Sequence, residues 1–316
     1  MRGSWAANMQ AALLAALARP AWWALALAAF MVRGGFVIAI LPIVSLPTTA
    51  DLTNAFAPTI EALIYGRPSL ETVIAGTLLI SGVFLVLYGL VFTGSWLDLA
   101  LLRETTSDPE LELGWTPANR SAALALAIRL VAHLPTGVAI AYAVVRIIGV
   151  LYLELTSPGD TATPLVFRVL AQAPDAPLAV GIAWLVGEAV GGLTTRRVAA
   201  GEPVVAAFGR SIRQVASPRG LATLAATTAA LVALLVPYLL TVATAWQNVR
   251  VALFGDIGDL LILTALGLMV STWVLGLALL GALLCWRATA WTVQVAPRSG
   301  TVTPSILHAS KPSRWG

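Results

Sequence analysis

The sequence contains few of the residues from which soluble proteins build reactive or cross-linked sites. It holds one cysteine, Cys285, and two histidines, His133 and His308. A single cysteine excludes an internal disulfide and a cysteine-based zinc site, and two histidines are too few for a histidine metal cluster. No Walker A loop, His-Glu-x-x-His motif or Gly-x-Ser-x-Gly motif occurs. We therefore predict no metal, no cofactor and no motif-bearing catalytic site.

Charge is also scarce in this chain. Only 11% of the residues are charged and 59% are hydrophobic, whereas soluble domains have about 25% and about 45 to 50%. The apolar runs recur along all 316 residues, so a soluble domain with one anchor does not fit. The net charge is +4, but the basic residues lie between apolar runs rather than in one patch, so nucleic acid is not an expected partner. The composition predicts a polytopic integral membrane protein.

Six apolar runs are long enough to cross about 30 Å of hydrocarbon, which takes about 20 helical residues. They occupy residues 21–46, 72–96, 135–155, 177–193, 221–246 and 260–286. Because the hydrocarbon offers no water to backbone groups, each run should be helical. We predict an all-α fold, a six-helix transmembrane bundle that forms one integral membrane domain over residues 1–296. Residues 297–316 are polar and are predicted to be a disordered cytoplasmic tail.

The basic residues predict the orientation of the chain. If the N-terminus lies inside, fourteen of them fall on the cytoplasmic side and three on the outer side. Cytoplasmic loops carry an excess of Lys and Arg, so both termini are predicted to be cytoplasmic. Lys311 is the only lysine, and a composition rich in arginine and alanine is typical of proteins from GC-rich bacterial genomes. We expect a multi-pass protein of a bacterial cytoplasmic (inner) membrane.

Three short segments that carry arginine each run into a proline and then into an apolar run. They are AALLAALARP, NRSAALALAIRLVAHLP and FGRSIRQVASP, which end at Pro20, Pro135 and Pro218. A proline at a helix start loses no hydrogen bond and redirects the chain. The pattern predicts short interfacial amphipathic helices that turn into transmembrane hairpins. It is either a weak threefold repeat or three ordinary cytoplasmic loops.

The segments NRSAALALAIRLVAHLP and GRSIRQVASP, together with the order of hairpins, resemble a known kind of membrane domain. It is the polytopic membrane domain associated with bacterial glycerophosphodiester phosphodiesterases, to which the Yip1-like membrane proteins are related. The resemblance extends over most of the chain and implies a membrane-embedded helical domain. The soluble phosphodiesterase domain that performs the chemistry in such fusions is not part of these 316 residues, so the resemblance implies no activity here.

Three charged residues lie well inside the predicted spans. Arg33 is 13 residues after Pro20 and Arg146 is 11 residues after Pro135, which is about 20 Å and about 16 Å along a helix. Glu188 lies about 16 Å into a helix that runs in the opposite direction. Such residues normally face the bundle interior and take partners. We predict that the three meet near mid-depth or somewhat outside it, with an excess positive charge that favours an anionic ligand, a lipid phosphate or trapped water.

Pairs of glycines adjoin two of these charges. We expect Gly34 and Gly35 to let another backbone approach near Arg33, and Gly187 and Gly191 to form a small-xxx-small face that packs the fourth span closely. An alternative is that the charges serve structure alone. They would then lock helices together, or Arg33 would extend outward along its stem.

The sequence predicts an integral membrane protein without a catalytic motif, acting as a scaffold, a lipid-associated protein or a component of a transport assembly. The alternative is a transporter or permease that uses Arg33, Arg146 and Glu188 as a site for an anion or a proton-coupled substrate. A third hypothesis is a membrane enzyme that acts on lipid head groups. Membrane lipids are the expected partners, and other membrane subunits or an ATPase are further candidates.

Overall fold

A computed structural model describes residues 4–44, 66, 70–109, 111, 113, 115–118, 120–156, 165–255 and 259–295. The predicted tail, residues 297–316, lies outside the described residues. Every regular element in the described part is helical, and no strand occurs there. The prediction of an all-α fold is therefore confirmed.

The helices differ widely in length, from single turns to rods of ten turns. The α-helices are α1 (Trp5–Ala18), α2 (Pro20–Phe30), α3 (Phe36–Ile40), α4 (Leu70–Ser107), α5 (Ala122–Ala132), α6 (Leu134–Thr156), α7 (Leu165–Gln172), α8 (Asp175–Ala199), α9 (Val204–Val215), α10 (Pro218–Phe254) and α11 (Asp259–Val295). A π-helical turn, Met31–Gly35, connects α2 to α3, and a short 3-10 turn, Leu41–Ile43, follows α3.

Six helical segments are long and apolar enough to cross a membrane. They are Pro20–Ile43, Val73–Ser107, Leu134–Glu154, Asp175–Ala199, Pro218–Phe254 and Leu260–Val295. Each overlaps one predicted run, which confirms the six-helix membrane bundle. Four of them continue well beyond the predicted ends. The predicted runs were limited by the apolar pattern, whereas the helices are defined by backbone hydrogen bonds, which continue through polar and charged residues.

Three of the helices are short and directly precede a membrane-spanning segment: α1 before Pro20–Ile43, α5 before α6 and α9 before α10. At the start of α2 and of α10, a proline occupies the first turn, where its missing N–H costs no hydrogen bond. Each short helix packs against a long helix of the preceding unit: α5 on α4, α9 on α8, and α1 on α11. The three units of short helix and hairpin therefore close into a ring.

The ring is well packed at the end that carries the short helices and open at the other end. In α4, Leu101 is fully buried, whereas most large apolar side chains between Leu70 and Phe92 are exposed. Along α11 the surroundings change in the same way, from exposed Leu268 to buried Cys285. An exposed apolar surface that encircles spanning helices is the surface that acyl chains cover.

On α6, the exposed apolar belt has the width of a bilayer core. On α6 it extends from Leu134 to Leu153, which is about 28 Å at 1.5 Å per residue and close to the thickness of the hydrocarbon, about 30 Å. On α8 the belt ends at Val186, and the rest of that helix is enclosed by the short helices. The end of the bundle that carries the short helices therefore extends beyond the apolar belt.

Candidate functional site

The chain between α2 and α3 leaves helical geometry at Arg33 and Gly34. Gly34 has a φ of 107°, a left-handed conformation that glycine adopts readily because it has no Cβ. The Arg33 side chain runs back along α2, where its Nε donates to the carbonyl oxygen of Ala29 at 2.8 Å. A Cβ on Gly94 of α4 would lie only 2.6 Å from Cγ of Arg33. The absence of that Cβ lets the Arg33 stem lie directly against α4.

Arg129 of α5 joins two carboxylates from different helices. Its side chain is 5% exposed, and Nη1 donates to both carboxylate oxygens of Glu188 on α8, at 3.0 and 3.2 Å. Its Nη2 donates to Asp98 on α4. Burial lowers the pKa of Arg129, but the two carboxylates raise it by more, so that its pKa lies above the ordinary value. Arg129 is a permanent cation that connects α4, α5 and α8.

Arg33 lies beside the same two carboxylates, and His133 lies beside Glu188. Nη1 of Arg33 is 3.7 Å from Oδ2 of Asp98 and 3.8 Å from Oε2 of Glu188, which is too far for a hydrogen bond. Nε2 of His133, at the junction of α5 and α6, is 3.5 Å from Oε1 of Glu188. Nη1 of Arg33 is buried and has no hydrogen-bond partner in the described part of the chain. Arg33 therefore contributes charge while retaining a free donor.

Two further arginines have no carboxylate partner among the described residues. Arg196 of α8 is 4% exposed, and it donates at 2.9 to 3.2 Å to three neutral oxygens of α8 and α11. Nη2 of Arg287 on α11 is buried and finds no acceptor in the part that the structure describes. The same is true of Nε1 of Trp291, one turn later.

These groups surround a cavity of about 270 Å³. Its charged lining consists of Arg33, Arg129, Arg196, Arg287, Asp98 and Glu188. Four guanidinium groups against two carboxylates leave two positive charges in excess. Among the described residues, four unsatisfied donors belong to cavity-lining residues: the three named above and Nε of Arg129. A buried donor without an acceptor is costly. The arrangement is suited to hold an anion that offers several oxygen acceptors.

The cavity lies at the edge of the exposed apolar belt. On α8 the belt ends at Val186, two residues before Glu188, and on α4 Trp96 is exposed two residues before Asp98. Two helical residues span only about 3 Å. The charged groups are therefore level with the face of the bilayer core rather than with its centre, which differs from the mid-depth position that the sequence predicted.

Of the three charged residues that were predicted to meet, the structure brings Arg33 and Glu188 together and places Arg146 elsewhere. Nε of Arg146 is 3.5 Å from Oδ2 of Asp175 at the start of α8, and both side chains are nearly half exposed. The expected meeting of Arg146 with Glu188 is wrong because it assumed that α8 begins level with the outer end of α6, whereas α8 begins beside Arg146. Glu188 lies 13 residues beyond Asp175, about 20 Å further along α8, where it is level with His133.

The four glycines predicted to allow close packing differ in what they do. Gly187 and Gly191 lie against α5, where a Cβ on either would come within 3.2 Å of Ala132. Gly34 and Gly35 do not receive another backbone: Gly34 is exposed, and a Cβ on Gly35 would collide with the last aromatic ring of α2. The reason is the helix break, which uses Gly34 for its positive φ and folds that ring across Gly35.

Four charged cavity residues were not among the predicted site residues: Asp98, Arg129, Arg196 and Arg287. All lie outside the predicted spans, where charged residues are usually solvated. A local signal was present, because Asp98 stands between Trp-Leu and Leu-Ala-Leu-Leu, and Arg129 stands inside the apolar stretch Ala-Ile-Arg-Leu-Val-Ala. Apolar neighbours on both sides of a charge indicate burial even beyond the end of a span.

Comparisons of the chain with protein-family models, curated proteins and solved structures give no match. The resemblance to the phosphodiesterase-associated membrane domain and to Yip1-like proteins therefore stays a prediction. Among the described residues, no group of three or more His, Cys, Asp or Glu side chains is arranged to hold a metal ion. The six apolar segments indicate a multi-pass membrane protein, and the charged cavity is its candidate functional site.

Proposed function

We propose that this chain is a non-catalytic integral membrane protein that binds an anionic ligand in the cavity between α2, α4, α8 and α11. One observation carries the proposal. Nη1 of Arg33, Nη2 of Arg287 and Nε1 of Trp291 are buried donors of cavity-lining residues, and none has an acceptor among the described residues. A phosphate group offers several acceptor oxygens together with the negative charge that the site lacks.

The size of the cavity favours a compact charged group. Its volume of about 270 Å³ falls just below the range of small-molecule pockets, about 300 to 1,000 Å³. At about 30 Å³ for each molecule of liquid water, it corresponds to about nine waters. A phosphate or a small head group fits this space, whereas a large metabolite would not.

The state of the carboxylates supports binding rather than catalysis. A general base needs a free lone pair within reach of a substrate proton. Asp98 and Glu188 are both held by Arg129, and the remaining cavity lining consists of arginines, tryptophans and apolar residues. These contacts favour the lipid-associated role over the enzyme acting on lipid head groups.

We further propose that the cavity lies on the cytoplasmic side of a bacterial cytoplasmic membrane, with both termini inside. The distribution of basic residues supports this orientation, because fourteen of the nineteen fall on the side of the N-terminus. The short helices α5 and α9 carry three of these arginines, Arg129, Arg210 and Arg213, and lie at the same end as the cavity. A ligand would then come from the cytoplasm or from the inner leaflet.

Binding of inorganic phosphate to the detergent-purified full chain tests the anion site. Phosphate should raise the midpoint of thermal unfolding and change the tryptophan fluorescence. Arg287→Gln should weaken binding about tenfold or more, because a hydrogen bond to a charged group contributes about 1.5 to 3 kcal/mol and about 1.4 kcal/mol is tenfold in affinity.

The matched control for this experiment is Arg213→Gln. Arg213 is an exposed arginine of α9 that does not line the cavity, so its replacement removes the same charge from the same end of the protein. It should leave phosphate binding unchanged. An equal loss in both variants, or no effect of phosphate on the unmodified protein, would refute the proposed site.

A second candidate function, anion transport, is favoured by the helix break at Arg33 and Gly34. Transporters commonly bind their substrates where a spanning helix is interrupted. Uptake of labelled phosphate into proteoliposomes separates the two functions. Saturable uptake that disappears in Arg287→Gln would favour transport, whereas phosphate binding without uptake would favour the proposed static site.

A further inference from the structure

One side of the cavity opens into the apolar belt. Trp184 lines the cavity and is 38% exposed, and Gly34 lines it and is also exposed. Both belong to membrane-spanning segments. Ile38 lies five residues beyond Arg33 toward the belt, and it completes an apolar wall on this side. The cavity therefore has charged groups at its inner end and apolar groups where it meets the acyl chains.

The helices on the two sides of this opening do not form a packed pair. α3 packs chiefly on the helical turns that flank it, and α8 packs on α5, α6, α9 and α11. Among the described residues, α3 and α8 do not pack extensively on each other. A gap of this kind between two spanning helices gives access to the cavity from the side, through the bilayer.

From this arrangement we infer that the anion is the head-group phosphate of a membrane phospholipid, which enters from the side while its acyl chains stay in the belt. The inference rests on the proposed anion site and names its ligand class. The depth of the site agrees with it, because Glu188 follows the last exposed apolar residue of α8, Val186, by two residues. Lipid head groups occupy that level, at the face of the hydrocarbon.

The charge of the site selects among phospholipids. Two excess positive charges are nearly neutralised by a phosphomonoester, which carries about −1.5 to −2 at pH 7. A phosphodiester carries a single negative charge and leaves one guanidinium uncompensated, which is costly in a buried site. The preferred ligand is therefore a lipid with a terminal phosphate, such as phosphatidic acid, rather than a phosphodiester lipid such as phosphatidylglycerol.

The test uses the full chain in phosphatidylcholine nanodiscs that contain phosphatidic acid, phosphatidylglycerol or no added lipid, with bound lipid counted by native mass spectrometry. We expect one phosphatidic acid per chain, held about tenfold more tightly than phosphatidylglycerol. Arg287→Gln should abolish this retention and Arg213→Gln should not. Ile38→Trp places a larger side chain in the lateral opening, so it should weaken lipid retention.

Each other outcome overturns a defined part of the reasoning. Binding of inorganic phosphate without retention of either lipid would refute the lipid inference and leave the anion site in place. If neither inorganic phosphate nor either lipid binds, the anion site and the lipid inference are both refuted. Equal retention of the two lipids would refute the selection by charge. Retention that survives Arg287→Gln would show that the lipid adheres elsewhere on the belt, which also refutes the inference.

Discussion

Arg129 and Arg287 line the same cavity, yet replacing each by methionine should change stability in opposite directions. Arg129→Met removes the cation that binds Asp98 and Glu188 and leaves two nearly buried carboxylates. Breaking a buried ion pair costs about 3 to 5 kcal/mol. Arg33, at 3.7 and 3.8 Å from these acids, compensates them in part, so we expect a loss near the lower limit, about 3 kcal/mol.

Arg287→Met should not destabilise the ligand-free protein. Arg287 has a buried Nη2 without an acceptor in the described part of the chain, so its replacement breaks no ion pair there. Exchanging buried charges for apolar side chains of similar volume stabilises proteins by about 1 to 4 kcal/mol. Because Arg287 is only partly buried in the fold, we expect a gain at the low end of this range, about 1 kcal/mol.

The assay is denaturant unfolding in detergent micelles and phosphate-free buffer, followed by circular dichroism and tryptophan fluorescence. Without phosphate, Arg287→Met should have the higher unfolding free energy. With added phosphate, the unmodified protein should have the higher one, since a ligand at a hundred times its dissociation constant stabilises its target by about 2.7 kcal/mol. If Arg287→Met were as unstable as Arg129→Met, Arg287 would have a partner, and the reasoning from unsatisfied donors would fail.

Three further substitutions test the surroundings of the cavity. Gly34→Ala should lower the unfolding free energy by about 1 kcal/mol because of the positive φ. Gly76→Ala, at a helical position of α4 where an added Cβ would meet nothing within 4 Å, should not lower it. Gly94→Val should displace the Arg33 stem and weaken phosphate binding, as measured by titration calorimetry, and unchanged affinity would contradict the contact between Arg33 and α4. Arg146→Gln should change neither phosphate affinity nor the unfolding midpoint, and a loss of affinity would restore Arg146 to the site.

The membrane fold could be predicted from the sequence because it depends on local properties. A helix that crosses hydrocarbon needs about 20 apolar residues in succession, and each of the six runs satisfies this without reference to any other part of the chain. The prolines before the long helices are local signals as well. The prediction missed the helix break at Arg33 and Gly34, and it misjudged helix ends, since helices such as α4 and α11 continue through charged residues beyond the apolar runs.

The cavity could be predicted only in part because it depends on the relative depth of separate helices. Arg33 and Glu188 were conspicuous as charges inside apolar runs, and the structure brings them together. Arg146 was equally conspicuous but pairs with Asp175, because α8 begins level with the middle of α6. Arg129 reaches the site because the short helix α5 packs on both α4 and α8. A single sequence without pairing information does not reveal that arrangement.

The most direct test of the account is an experimental density map of the full chain in nanodiscs that contain phosphatidic acid. The account predicts a phosphate-sized density within hydrogen-bonding distance of Nη2 of Arg287 and Nε1 of Trp291, continuous with acyl-chain density that leaves between α3 and α8. An Arg287 that points into the lipid, or a cavity that a protein side chain closes, would contradict it.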